Sequence, residues 1–251
     1  MKLALFFTIV VTGVAGCGGS SDPNAKALHQ AELATRAFDR AIGIETAFVS
    51  DGNIDIEATP AIIANAMLNR VESEGSGCVV ATSSDNTLHA DFGTSCELAT
   101  ASMHIGGTVD GEVDPDPTTG GVTITLTLAV TVDDNEALSG ALIVSTPDGT
   151  VFSYAAPDGL TLDGTVVASP LVAAGIAAGG ATLDAANGTV DGATLVFTGM
   201  HERFAACYPD DGSATVNAVE VDFASNTPED GKVMVGSGSG ATLPKRARCP
   251  N

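Results

Sequence analysis

The chain has 251 residues, with 31 acidic and 10 basic side chains and a formal charge of −21. That length suits one domain, or one with a small appendage, and can bury a real core. Such an acidic surface repels phosphate backbones and anionic headgroups, so nucleic-acid binding and peripheral electrostatic membrane binding are disfavoured. The basic residues are also unevenly placed, since residues 71–202 hold 18 Asp and Glu but no Lys or Arg.

The first element is MKLALFFTIVVTGVAGC, Met1 to Cys17. One basic residue, an apolar run from Leu3 to Gly16 and small residues before a cysteine make an export signal. The run is shorter than the roughly 20 residues a spanning helix needs. Val14-Ala15-Gly16-Cys17 resembles the lipobox of bacterial lipoproteins. The resemblance implies cleavage before Cys17, removing residues 1–16, and a lipid on Cys17 that tethers the chain to a membrane. Gly18, in place of aspartate, implies the outer membrane if the source has one. Residues 17–24 then form a lipidated, polar tether.

Residues 25–75 are expected to form a helix pair that packs on a sheet. Asp22 can cap the first helix and Pro23 fits its first turn. Leu28, Ala31, Phe38 and Ile42 form its apolar stripe, with Lys26, Arg36 and Arg40 around it. The second helix starts at Thr59-Pro60, buries Ile63, Met67 and Val71, and stops near Gly75.

From residue 76 to 251 the periodicity becomes two, which predicts a mainly β, antiparallel, meander-rich sheet, either sandwich or barrel. Val122–Val132 is the clearest strand: its valines, isoleucine and leucines alternate with Thr123, Thr125, Thr127 and Thr131. Further strands are expected at 137–145, 151–155, 160–167, 189–198, 213–223 and 231–235. The turns between them are expected at 133–136, Pro147-Asp148-Gly149, Pro157-Asp158-Gly159, Pro209–Gly212 and Pro228–Gly231. SPLVAAGIAAGG, residues 169–180, predicts a short helix near 170–178. GSGSG, residues 236–240, is expected to be a loop. GTVDG occurs at both 107–111 and 188–192 without a constant period, which suggests shared hairpin chemistry.

With Cys17 lipidated, Cys78, Cys96, Cys207 and Cys249 remain, and exported thiols in even number imply disulfides. Three pairings are open; Cys78–Cys96 with Cys207–Cys249 is preferred because each pair lies within one local block. HADFGTSC, residues 89–96, with Cys207-Tyr208-Pro209, resembles blocks of uncharacterised exported lipoproteins. That resemblance implies compartment and β class, and no activity.

Neither a nucleophile elbow nor a metalloprotease motif is present: His201-Glu202 lacks the second histidine, because position 205 is alanine. His89 and His104 flank Cys96 and could face each other across a hairpin. Asp110, Glu112, Asp114 and Asp116 alternate, so in extended backbone they project to one side and are a candidate calcium site. Otherwise no cofactor is implied. The expected role is non-catalytic: a lipid-anchored structural or binding protein of the cell envelope, with an envelope protein as partner. The rivals are a calcium-stabilised surface or adhesion module, and an envelope hydrolase built around His201 and Glu202.

Overall fold

The computed structural model describes residues 22–49, 53–99, 103–133, 135–174, 180–203 and 206–244. The leader, Cys17 and Cys249 lie outside these residues. The helix pair comes first, α1 at Pro23–Phe48 and α2 at Pro60–Glu74. Asp22 caps α1 by accepting the Asn24 N–H at 2.9 Å, and both helices carry proline in the first turn, where a missing N–H costs nothing.

The strands are β1 Val80–Ser84, β2 Thr87–Asp91, β3 Cys96–Leu98, β4 Met103–Pro115, β5 Val122–Val132, β6 Glu136–Thr146 and β7 Phe152–Leu162. They continue with β8 Thr165–Ala174, β9 Gly180–Val190, β10 Ala193–Arg203, β11 Asp211–Val216, β12 Val219–Asp222, β13 Lys232–Val235 and β14 Ser239–Thr242. All pairings are antiparallel, and neighbours in sequence are neighbours in the sheet, apart from β3, which shares with β2 one edge of β4. The sheet is open, and β1 and β14 are its terminal strands.

β5 shows why the register holds. Val122, Ile124, Leu126, Leu128, Val130 and Val132 are all buried, and together contribute on the order of 10 kcal/mol before conformational entropy is subtracted. A slip of one residue would expose all six. The pairings of β5 with β4 and with β6 each run unbroken over eleven residues.

The meander curls about α1. This helix touches β5, β6, β7, β8, β9, β11 and β12 as well as α2. From Gln30 to Phe48 every residue is buried except the half-buried Arg36 and Thr46. The helix pair thus packs on the sheet, as expected. α1 is buried all round, and α2 packs on β1, β2, β3 and β4. Phe38 packs edge-on against Phe197 of β10, and Phe48 against Phe92 beyond β2.

Several boundaries differ from the sequence expectations. The helix expected near 170–178 is contradicted: Ser169–Ala174 belongs to β8, paired with β7, while residues 175–179 lie outside the described residues. Pro157-Asp158-Gly159 does not turn the chain. It is an irregularity inside β7, where the register to β8 shifts between Ala156 and Leu160. The reversal falls instead at Asp163-Gly164, both with positive φ. The strand expected at 189–198 is split by a turn at Asp191-Gly192, and that at 213–223 by one at Asn217-Ala218. Two-residue turns with positive φ fit the twist of a hairpin. GSGSG is not wholly a loop, since Ser239 and Gly240 open β14. The two GTVDG segments differ: one lies within β4, and the other ends β9 and turns into β10.

Candidate functional site

β4 alternates strictly beyond Thr108. Val109, Gly111 and Val113 face the core, and Asp110, Glu112 and Asp114 face outward. Asp116 lies past the strand end, in the turn to β5. Alternate residues of a strand are about 7 Å apart, whereas calcium holds its oxygens at about 2.3–2.6 Å. The three carboxylates on β4 are thus strung along one line and do not gather about a point. Among the described residues no three His, Cys, Asp or Glu side chains converge as a metal-ligand group.

Each carboxylate has a partner instead. Asp110 Oδ1 is 2.7 Å from His89 Nδ1 on β2. Asn86 Nδ2 donates to Asp114 Oδ1 at 3.2 Å, to the Val113 carbonyl at 3.1 Å and to Glu112 Oε1 at 3.5 Å. Asp116 accepts from the Thr119 hydroxyl and the Thr118 N–H, at 2.8 and 2.9 Å. These bonds favour its charged form and hold its carboxyl below the ordinary carboxylate value.

The sheet register sets two polar rows side by side across this outer face. One is Thr82, His89, Asp110 and Thr127; the other is Ser84, Thr87, Glu112 and Thr125. They line a shallow groove of about 400 Å³. Hydroxyl, imidazole and carboxylate groups offer hydrogen bonds and negative charge there, with no guanidinium or ammonium in the lining. Two other grooves are more apolar. One of about 290 Å³ lies between the ends of α1 and α2 and includes Phe48, Ile62, Met67 and Arg70. One of about 490 Å³ lies along β12–β14 and includes Asp222, Lys232 and Met234.

Cys78 and Cys96 form a disulfide, with Cα atoms 5.6 Å apart. It ties the exit of α2 to β3. Cys207 is also disulfide-bonded, and its expected partner Cys249 lies outside the described residues. His89 and His104 do not face each other: His89 stands opposite Asp110 and His104 opposite Glu97. His201 and Glu202 are adjacent on β10 and so project to opposite faces. His201 Nδ1 lies against Asp210 Oδ1, while Arg203 Nε holds Asp210 Oδ2 at 2.9 Å. None of the three grooves is lined by His201.

Charge inside the curl is the feature that sequence reasoning missed. Arg40 of α1 is buried; its guanidinium reaches Asp133 Oδ2 at 2.8 Å and Glu136 Oε2 at 3.4 Å. Arg36 Nη1 takes the other Glu136 oxygen at 2.6 Å. The acidic turn between β5 and β6 is thus fastened to the central helix. The available signal was an i, i+4 pair of arginines on α1 and an acidic turn that needed a counter-charge. One turn further along α1, Glu45 is buried and bonded to Tyr154 of β7.

A search of protein-family models matches none of them to this chain, and neither the curated proteins nor the solved structures give a match.

Proposed function

We propose that this chain is a lipid-anchored cell-envelope protein whose role is binding or structural, not catalytic. The anchor rests on Val14-Ala15-Gly16-Cys17. The observation that carries it into the fold is the start of α1: Asp22 caps a helix five residues after Cys17, and that helix is the centre of the sheet. A lipid at Cys17 would hold the folded part close to the membrane through a short polar segment. The binding role rests on the outer face of β1, β2, β4 and β5, where two polar rows border an open groove. His201, which with Glu202 is the alternative starting point for hydrolysis, lies against Asp210, itself held by Arg203, and lines none of the three grooves.

Fractionation of the producing cells tests the anchor. The parent protein is expected with the membranes and released only by detergent. Cys17→Ser is expected in the soluble fraction or as uncut precursor. Equal behaviour of the two would overturn the reading.

A further inference from the structure

Glu45 sits in the last turn of α1, where its carbonyl accepts the Val49 N–H at 3.2 Å. Its side chain is turned into the core, and the residue is 1% exposed. One carboxyl oxygen takes the Tyr154 hydroxyl; among the described residues the other has no hydrogen-bond partner. The C-terminal end of a helix carries partial negative charge, and the last turn of α1 holds no basic residue. Burial, an unbonded oxygen and the helix end therefore all oppose a charged carboxylate here. Burial is the largest influence and pushes the carboxyl up to about 7.

No counter-charge answers it from the elements packed on α1. β5 and β8 carry no titratable side chain. Asp158 of β7, Asp184 of β9, Asp211 of β11 and Glu220 of β12 are exposed, as is Glu72 of α2, and Asp222 of β12 is half-buried. Arg70 and Glu74 of α2 bond each other at 2.7 Å. Glu202 of β10 is buried but engaged. On α1 itself, Asp39 and Arg40 belong to the cluster around Asp133 and Glu136 of the β5–β6 turn and β6.

The same turn of α1 walls a groove. Phe48 and Val49 line the apolar groove of about 290 Å³, together with Ile54, Ile63 and Met67. Ile54 donates its N–H to the Gly149 carbonyl at 2.9 Å, in the turn that leads into β7 and so to Tyr154. The end of α1, the groove and the start of β7 thus meet around one carboxyl group.

We propose that Glu45 and Tyr154 form a proton-held latch: while Glu45 is neutral the last turn of α1 stays docked on β7, and loss of the proton releases that turn and opens the groove beside it. The docked state keeps a proton that the released turn gives up in the ordinary carboxylate range. Release is therefore favoured increasingly as pH rises to about 7, and levels off above it.

Amide hydrogen exchange of the purified protein from pH 5 to 8, at several low urea concentrations and corrected for intrinsic rates, tests this. The Val49 and Tyr154 amides are expected to open about fiftyfold more often at pH 8 than at pH 5, with most of the rise below neutrality. This opening is expected to depend little on urea, as local opening does. Glu45→Gln cannot ionise and keeps an acceptor for Tyr154, so its opening is expected to be flat with pH. Tyr154→Phe removes the one bond that favours the charged form, so its rise is expected to be larger than the parent's. A parent that is flat with pH, an equal rise in Glu45→Gln, or amides that open only with the urea dependence of the β5 amides would overturn the proposal.

Discussion

Tyr154 Oη donates a 3.0 Å hydrogen bond to Glu45 Oε2, joining β7 to α1 where both side chains are buried. Among the described residues, Glu45 Oε1 has no hydrogen-bond partner. Burial disfavours the charged carboxylate, and the Tyr154 bond offsets this only in part, so the Glu45 carboxyl is pushed from 4.5 to about 7. Between those values the folded state binds a proton that the unfolded state does not hold. Stability from this group is therefore complete below about 4.5 and is lost as pH rises through about 7. The loss is about 3 kcal/mol. Glu45→Gln removes the titrating group and keeps an acceptor for Tyr154. Urea unfolding across pH 5 to 8.5 is expected to show the parent losing stability relative to Glu45→Gln, with the gap widening up to about pH 7 and then levelling off. Parallel curves would contradict it.

Arg40 is expected to be the costliest charged residue to remove. Asp133 and Glu136 are nearly buried around it, at 10% and 15% side-chain exposure. Removing one member of a buried ionic cluster strands the rest, at a cost of about 3–5 kcal/mol. Arg40→Met is expected to lower stability by about that amount, and Arg40→Met/Asp133→Asn by less than the two single changes summed. Additive losses in urea unfolding would show that the pair is not coupled.

Leu126 and Thr127 are neighbours on β5 with opposite faces. Leu126 has no exposed surface, so Leu126→Ala is expected to cost about 2–5 kcal/mol. Thr127 is exposed and lines the groove, so Thr127→Ala is expected to stay within about 0.5 kcal/mol. Comparable losses would place β5 in the wrong register.

Cys78–Cys96 closes a loop across 18 sequence positions. Constraining the unfolded chain in this way stabilises by about 3 kcal/mol in the chain-entropy account. Cys78→Ala/Cys96→Ala is expected to unfold at correspondingly lower urea, with α2 and β1 exchanging amide hydrogens first. Unchanged stability would contradict the bridge.

The line of carboxylates on β4 predicts coincident thermal melts in calcium and in chelator. A calcium site filled to 100 times its dissociation constant would add about 2.7 kcal/mol. A shift of that size, abolished by Asp114→Asn/Asp116→Asn, would show that these groups close on a cation after all.

Much of the fold is legible in particular residues. The period of two in Val122–Val132, the cap and proline at Asp22-Pro23, and the turn at Pro147–Gly149 each state their structure locally. Strand limits past residue 155 are harder to read. Pro157-Asp158-Gly159 has the chemistry of a turn, yet pairing with β6 and β8 breaks there and resumes beyond it, so the chain runs on as one irregular strand. The burial of α1 was not legible either. Arg36, Arg40 and Glu45 resemble a solvated helix face until a sheet curls round them, and their partners are about 100 residues away in sequence. The groove shows the same limit. Asp110, Glu112 and Asp114 could be placed on one side of a strand, but the His89 and Asn86 that engage them come from another strand and its turn.

The proposed role depends on a mature protein that begins at a lipidated Cys17. Intact-mass and peptide mass spectrometry of the protein purified from membranes tests it most directly. Residues 1–16 are expected to be absent, and the N-terminal peptide is expected to carry acyl mass on Cys17. An unmodified Cys17, or a chain cut at another position, would contradict it.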